Sequence, residues 1–172
     1  MLTYKNIISD YIKNSSSVIR SINHYSNDIQ DIVRTLTSAF KNNQKVFICG
    51  NGGSFSQAEH FATELICTYD KKNRKPYPII LLGSNNSSLS AWSNDFNYKT
   101  FLSREIDALA KKKDVLIVLT TSGGNKKLSQ SNNLVNAAKT AKKRNMKVIS
   151  LTGKKGGDIM KYSDTCIHIK NQ

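Results

Sequence analysis

The run V-L-I-V-L at 115–119 constrains the fold more than any other stretch of the chain. Five branched aliphatic residues in succession leave no polar face, so the strand they form, Asp114–Leu119, must be covered on both sides. Shorter runs of the same kind recur at Lys45–Gly50, Pro78–Leu82, Lys147–Leu151 and Thr165–Ile169. Between them lie segments with apolar residues at helical spacing. Ser54–Thr68 has Phe55, Ala58, Phe61, Ala62, Leu65 and Ile66 at that spacing, and Ser87–Ser93, Thr100–Lys111 and Asn132–Arg144 also read as helices. Strands that alternate with helices and lack a polar face predict an α/β fold: a three-layer α/β/α sandwich around a five-stranded parallel sheet. Two further helices precede the first strand, Leu2–Val18 and Asp28–Asn42, the second with Asp28 as its N-cap. They either pack on one face of the core or supply an oligomer interface. A chain of 172 residues without an evident linker is read as one domain, with helices over 1–43 and the α/β core over 44–172.

Charge and cysteine content narrow the function classes. The formal net charge is +14, carried by 21 Lys and only 5 Arg, beside 18 Asn. The lysines are scattered, and Arg forks interleaved with aromatics are scarce, so nucleic acid is not the indicated partner. Apolar runs stop at about five residues where a membrane span needs roughly 20, so no membrane segment is expected. The first residues lack the apolar core of a secretory signal, which predicts a cytoplasmic protein. Cys49, Cys67 and Cys166 are widely spaced and odd in number, and are read as reduced, mostly buried thiols.

In a parallel sheet the ligand lies beyond the carboxyl ends of the strands. Three polar loops emerge there. The first, C-G-N-G-G-S at 49–54, combines a tight strand-to-helix turn with glycines that admit a ligand to the backbone. It is neither G-x-G-x-x-G nor a Walker A loop, so a dinucleotide or nucleoside triphosphate is not indicated. The second, T-T-S-G-G-N at 120–125, sets hydroxyls and free amides ahead of a helix, an arrangement that suits phosphate; Ser131 stands before that helix as an N-cap or a further phosphate donor. Spacing leaves the role of the third, Gly153–Gly157, open. His60 and Glu64 lie four apart and project from one helix face, the spacing of a metal-ligand or acid/base pair, or of an ordinary exposed helix pair.

Taken in order, C-G-N-G-G-S, H-F-A-T-E-L, S-N-D-F, T-T-S-G and M-K-V-I-S-L-T-G-K-K-G-G resemble the phosphoheptose isomerases, members of the sugar isomerase (SIS) fold group. The resemblance runs from about Asn6 to Ile169. It implies interconversion of sedoheptulose 7-phosphate and D-glycero-D-manno-heptose 7-phosphate for lipopolysaccharide or capsule heptose, by a homotetramer with active sites between subunits. By matching motifs it implies that Asn51, Gly52, Gly53, Ser54, Asn94 and Asp95 contact the sugar phosphate. Thr120, Thr121 and Ser122 match the phosphate loop. His60 and Glu64 match two zinc ligands, and Glu64 also matches the proton-transferring glutamate. A relative in the same fold group, which binds the bacterial replication initiator, supplies the alternative of a non-catalytic binding module.

The sequence departs from the family pattern at two places. The loop after Gly123 is longer by about six residues, so the family's last phosphate-binding serine corresponds to Ser131, and Lys126 and Lys127 in the insert read as solvated, with added positive charge near the phosphate as the alternative. The family pattern also continues past the fifth strand into a helix that carries a Gln and a His. Here the sequence ends at Gln172, too early to be that Gln, and His168 is assigned to the strand. The expected ligand set is therefore His60 and Glu64 alone.

Overall fold

The computed structural model describes residues 3–70 and 72–170, so Met1, Leu2, Lys71, Asn171 and Gln172 lie outside the described residues. Five strands form one sheet: β1 (Val46–Cys49), β2 (Ile79–Leu81), β3 (Val115–Thr120), β4 (Lys147–Thr152) and β5 (Thr165–His168). All pair in parallel, in the order β2-β1-β3-β4-β5. The strand order reverses between β1 and β3, and that is where a crevice opens in sheets of this topology.

Alternation along the strands divides the core in two. Phe47, Cys49, Leu116, Val118 and Val148 face α5 (Phe101–Leu109) and α6 (Asn132–Lys143). Val46, Ile48, Val115, Ile117 and Ile149 face α2 (Ser26–Lys41) and α3 (Gly53–Ile66). Ala58 and Ala62 on α3, and Ala137, Ala138 and Ala141 on α6, are buried where helix meets sheet. Their small side chains bring the helix axes close to the strands. The expected three layers are therefore present. Among the described residues no helix is long and apolar enough to cross a membrane.

Several local expectations need correction. The leading helices are α1 (Tyr4–Ser21) and α2, joined by a single 3-10 turn (Ile22–Tyr25) rather than by a loop. Thr3 caps α1 by accepting from the Asn6 amide. Asp28 is not an N-cap. It lies in the first turn of α2, where its charge complements the helix dipole. The helix read at Ser87–Ser93 is longer: α4 (Asn86–Asp95) starts from the cap Asn85 and includes Asn94 and Asp95 in its last turn. Of the three thiols only Cys49 is buried; Cys67 is exposed and Cys166 half-buried.

The longest helix is also the least covered. None of the described residues of α1 is buried, and Tyr4, Ile8, Tyr11, Ile12 and Ile19 are each more than half exposed.

Candidate active site

The loop after β1 turns within three residues. Gly50 packs against the first turn of α3, where an added Cβ would lie 2.5 Å from the Ser54 carbonyl. Gly52 holds φ at +53° and is the N-cap of α3. A side chain is sterically excluded at the first position and strained at the second. Gly53 and Ser54 then open the helix, and the Ser54 amide donates to the Asn51 carbonyl at 3.0 Å. Asn51 itself is held side on. Its Nδ2 donates to Asn133 Oδ1 (2.9 Å), and its Oδ1 accepts from Asn133 Nδ2 (2.8 Å) and from the Tyr98 hydroxyl (3.1 Å). A cavity of about 200 Å³ lies beside this cluster, bounded by Gly50, Asn51, Gly83, Tyr98 and Asn133.

The loop after β3 lies across the crevice. Thr120 is buried, and its hydroxyl accepts from the Gly123 amide at 3.2 Å. Thr121 is exposed at the crest. Ser122 Oγ and Ser131 Oγ stand 3.3 Å apart at the start of α6. Ser131 occupies the N-cap position in a left-handed conformation, φ +51°, and its hydroxyl makes no capping bond. The side chain turns toward Ser122 instead. The amides of Leu134 and Val135 donate to the Ser131 carbonyl at 3.1 and 3.3 Å, which leaves the Asn132 and Asn133 amides at the helix start without a backbone acceptor among the described residues.

The loop Gly153–Gly157, whose role spacing left open, is a buttress. Its backbone packs so closely that a Cβ on Gly123 would fall 1.6 Å from the Gly156 carbonyl oxygen. Ile159 N donates to Gly123 O (2.8 Å), and Asp158 N donates to Gly124 O (3.0 Å). The two strand exits are thus locked together, and the loop at 120–125 is held in shape. His168, left without a role, donates through its Nε2–H to the Lys154 carbonyl at 2.9 Å, and its own carbonyl accepts from the Tyr25 hydroxyl.

The remaining candidates lie apart from these loops. His60 Nε2 and Glu64 Oε1 are 3.1 Å apart on the outer face of α3. Glu64 follows the first helical residue by eleven positions, which at 1.5 Å per residue sets it about 16 Å along the axis from the loop. Asn94 and Asp95 close α4 on its exposed side, with Asn94 Nδ2 donating to Asp95 Oδ1 at 2.9 Å, and neither lines the cavity beside Asn51.

Sequence reasoning missed three residues. Asn133 is fully buried and carries the Asn51 pairing; the signal was an Asn immediately inside a helix start, where an apolar residue is expected to pack. Tyr98 joins that pairing by donating its hydroxyl to Asn51 Oδ1. Arg74 donates to the carbonyls of Leu65 and Glu64, closing the end of α3 that carries the carboxylate, and it stacks on Tyr77 at 4.7 Å. Beneath the cavity, half-buried Glu105 accepts from the Gly83 amide at 2.7 Å. Burial pushes its carboxyl above the usual glutamate range, partly offset by that hydrogen bond. Burial, with Glu105 nearby, pushes the Cys49 thiol up to about 12, so it is inert packing.

With this geometry in hand, the chain was compared with known proteins. The SIS domain family matches residues 10–153. A phosphoheptose isomerase of Glaesserella parasuis serovar 5 is 42% identical over 154 residues, covering 86% of this chain and 76% of that protein. The chain belongs to the phosphoheptose isomerase family. The Buchnera aphidicola member is 39% identical over 164 residues, covering 94% of this chain and 81% of its own length. Among solved structures, the phosphoheptose isomerase of Francisella tularensis superposes with a TM-score of 0.87 at 30% identity, covering 99% of this chain and 86% of that one. The Neisseria gonorrhoeae phosphoheptose isomerase gives 0.86 at 26% identity, covering 99% and 88%.

The donor set was also weighed for zinc. An imidazole nitrogen and a carboxylate 3.1 Å apart suit two ligands of one ion. A catalytic zinc site needs about three protein ligands. Among the described residues no three His, Cys, Asp or Glu side chains gather into such a site. Among the described residues of one chain, His60 and Glu64 could supply two ligands to an ion, short of the roughly three that a catalytic zinc site needs.

Proposed function

We propose that this chain interconverts sedoheptulose 7-phosphate and D-glycero-D-manno-heptose 7-phosphate in the cytoplasm, as the early isomerisation toward surface heptose. The observation that carries the reading is the preformed cradle at the sheet's switch point. Paired Ser122 and Ser131 hydroxyls stand there at a helix start, facing the glycine turn at 50–53. Such a cradle suits a phosphate monoester. Thr120, Thr121, Ser122 and Ser131 would hold the phosphate, with Gly52, Gly53 and Ser54 at the start of α3 as further amide and hydroxyl donors. Asn51, paired with Asn133, keeps the first loop in shape.

The chemistry needs a base at the far end of the sugar. Moving the carbonyl from C2 to C1 requires removing a proton from C1, passing through an enediolate, and returning a proton to C2. We assign that transfer to Glu64, whose carboxylate would take the proton and give it back. His60, hydrogen-bonded to Glu64, would orient it. Zinc, where bound, would act as a Lewis acid on the substrate oxygens, with His60 and Glu64 as its ligands from this chain. Fixing the phosphate lowers the entropic part of the barrier, because the reactive carbons then arrive in register with the base.

Within one chain the cradle and Glu64 are separated by about three turns of α3. We infer that each active site combines the cradle of one chain with the His60–Glu64 pair of another, in a homotetramer. The uncovered apolar residues of α1 support such an assembly, since a helix with no buried residue of its own gains from packing on a second copy. The family relationship favours an isomerase over a non-catalytic binding module. The test is a coupled assay for aldose product from sedoheptulose 7-phosphate. Turnover well above background is expected, and binding without turnover would return the module to favour.

A further inference from the structure

The insert after Gly123 forms one wall of a second cleft. This cleft has a volume of about 770 Å³ and runs from the start of α6 along its outer face. Its walls carry Lys99, Lys126, Lys127, Lys139 and Lys161 against a single acid, Asp158. Asp158 is already engaged, accepting from Lys161 Nζ at 2.7 Å and from the Lys126 amide at 3.0 Å. Those two bonds hold its carboxyl below the usual aspartate range. Lys99, Lys126, Lys127 and Lys139 have no ion-pair partner among the described residues, while Lys99 Nζ reaches Ser129 Oγ of the insert at 3.4 Å. Asn125, Asn132 and Asn136 add amide donors between the lysines. The other large polar cleft, of about 720 Å³ and bordered by β1, β3 and β4 at their starts, differs in this respect. There Arg34 pairs with Asp31, and Lys142 and Lys147 pair with Asp164.

The lysine cleft is continuous with the phosphate cradle. Gly124 lines the cleft while its amide reaches Ser122 Oγ at 3.4 Å, and Asn132 lines it next in sequence to Ser131. Four uncompensated cations gathered in one concavity repel one another, and an anion seated among them relieves that repulsion. We propose that this cleft is a binding site for a second phosphate group, so that small molecules carrying two or more phosphates bind across cradle and cleft together. Such compounds would hold the enzyme by its phosphate end and exclude the monophosphate substrate. They are what a kinase acting on this enzyme's product would make. The proposal rests on the phosphate-cradle reading above.

Calorimetry in metal-free buffer with inorganic phosphate and inorganic tripolyphosphate tests it without turnover. The intact chain should bind tripolyphosphate at least about tenfold more tightly than phosphate. Lys126→Gln/Lys127→Gln/Lys139→Gln should reduce that preference to about twofold and leave phosphate affinity within about threefold. Lys41→Gln/Lys111→Gln/Lys112→Gln, which removes the same charge elsewhere, should keep it. Equal preference in the two triple variants, or no preference in the intact chain, overturns the second site. If phosphate alone fails to bind while tripolyphosphate binds through the cleft lysines, the cradle reading fails and the cleft stands. If neither binds, both fall.

Discussion

The two ends of α3 are built in opposite ways. At its start the contacts are close and specific: the Gly50 backbone lies against that of Ser54, the Asn51 and Asn133 side chains lock together, and, across the crevice, the Gly123 backbone is pressed on that of Gly156. At its far end, His60 is exposed and hydrogen-bonded to half-buried Glu64, and Arg74 donates to the Glu64 carbonyl. On the proposed reading, the phosphate end is finished within one chain and the reactive end is not. An anion of fixed shape can be met by preformed donors that cost nothing to reorganise. A proton-transferring carboxylate must instead be brought to the substrate, and in this chain nothing but a second copy is proposed to bring it there.

Substitutions should therefore separate into two kinds. The largest effect is expected at the open end: Glu64→Gln should lower kcat about 10³-fold while sugar-phosphate binding, followed by calorimetry, changes less than about threefold. Comparable losses in binding and turnover would blur the division. Next comes Gly123→Ala, which drives a methyl into the Gly156 carbonyl and forces a side chain into φ +68°. It should cost about 3 kcal/mol or more in urea unfolding. Ser122→Ala removes one hydroxyl from the cradle and should raise KM about tenfold with kcat little changed, the mark of lost uniform binding. The smallest effect concerns pH. Burial raises the Glu105 carboxyl, so the native state keeps that proton to higher pH than the unfolded chain does. Stability should therefore fall as pH rises from the ordinary glutamate range through the raised native value. Glu105→Gln should flatten that part of the curve, read as urea midpoints at successive pH values.

How much of this was legible in the sequence follows the same division. The sheet was readable because V-L-I-V-L and its shorter counterparts have no polar face, so burial on both sides was their only stable outcome. The cradle was readable because glycines and hydroxyls between a strand and a helix have few other uses. Asn94 and Asp95 fall outside the helix read at Ser87–Ser93 because polar residues end most helical patterns, yet α4 runs through both and is capped at Phe96. Asn133 and Arg74 escaped notice because each matters through a partner distant in sequence, Asn51 and the end of α3, and no local pattern encodes that pairing. The distance from cradle to Glu64 was implicit in eleven helical positions, and the family resemblance already implied sites between subunits; the outward position of His60 on α3 is what the structure adds in support of the proposed second chain.

The most direct test is complementation between two defective chains. Ser122→Asp places a carboxylate where the phosphate should sit, and Glu64→Gln removes the base, so each variant alone should be inactive. Co-expressed and purified as mixed oligomers, they should regain roughly a quarter of wild-type turnover, because sites pairing an intact cradle with an intact Glu64 then form by chance. Turnover no higher than that of either variant alone would contradict a site shared between chains.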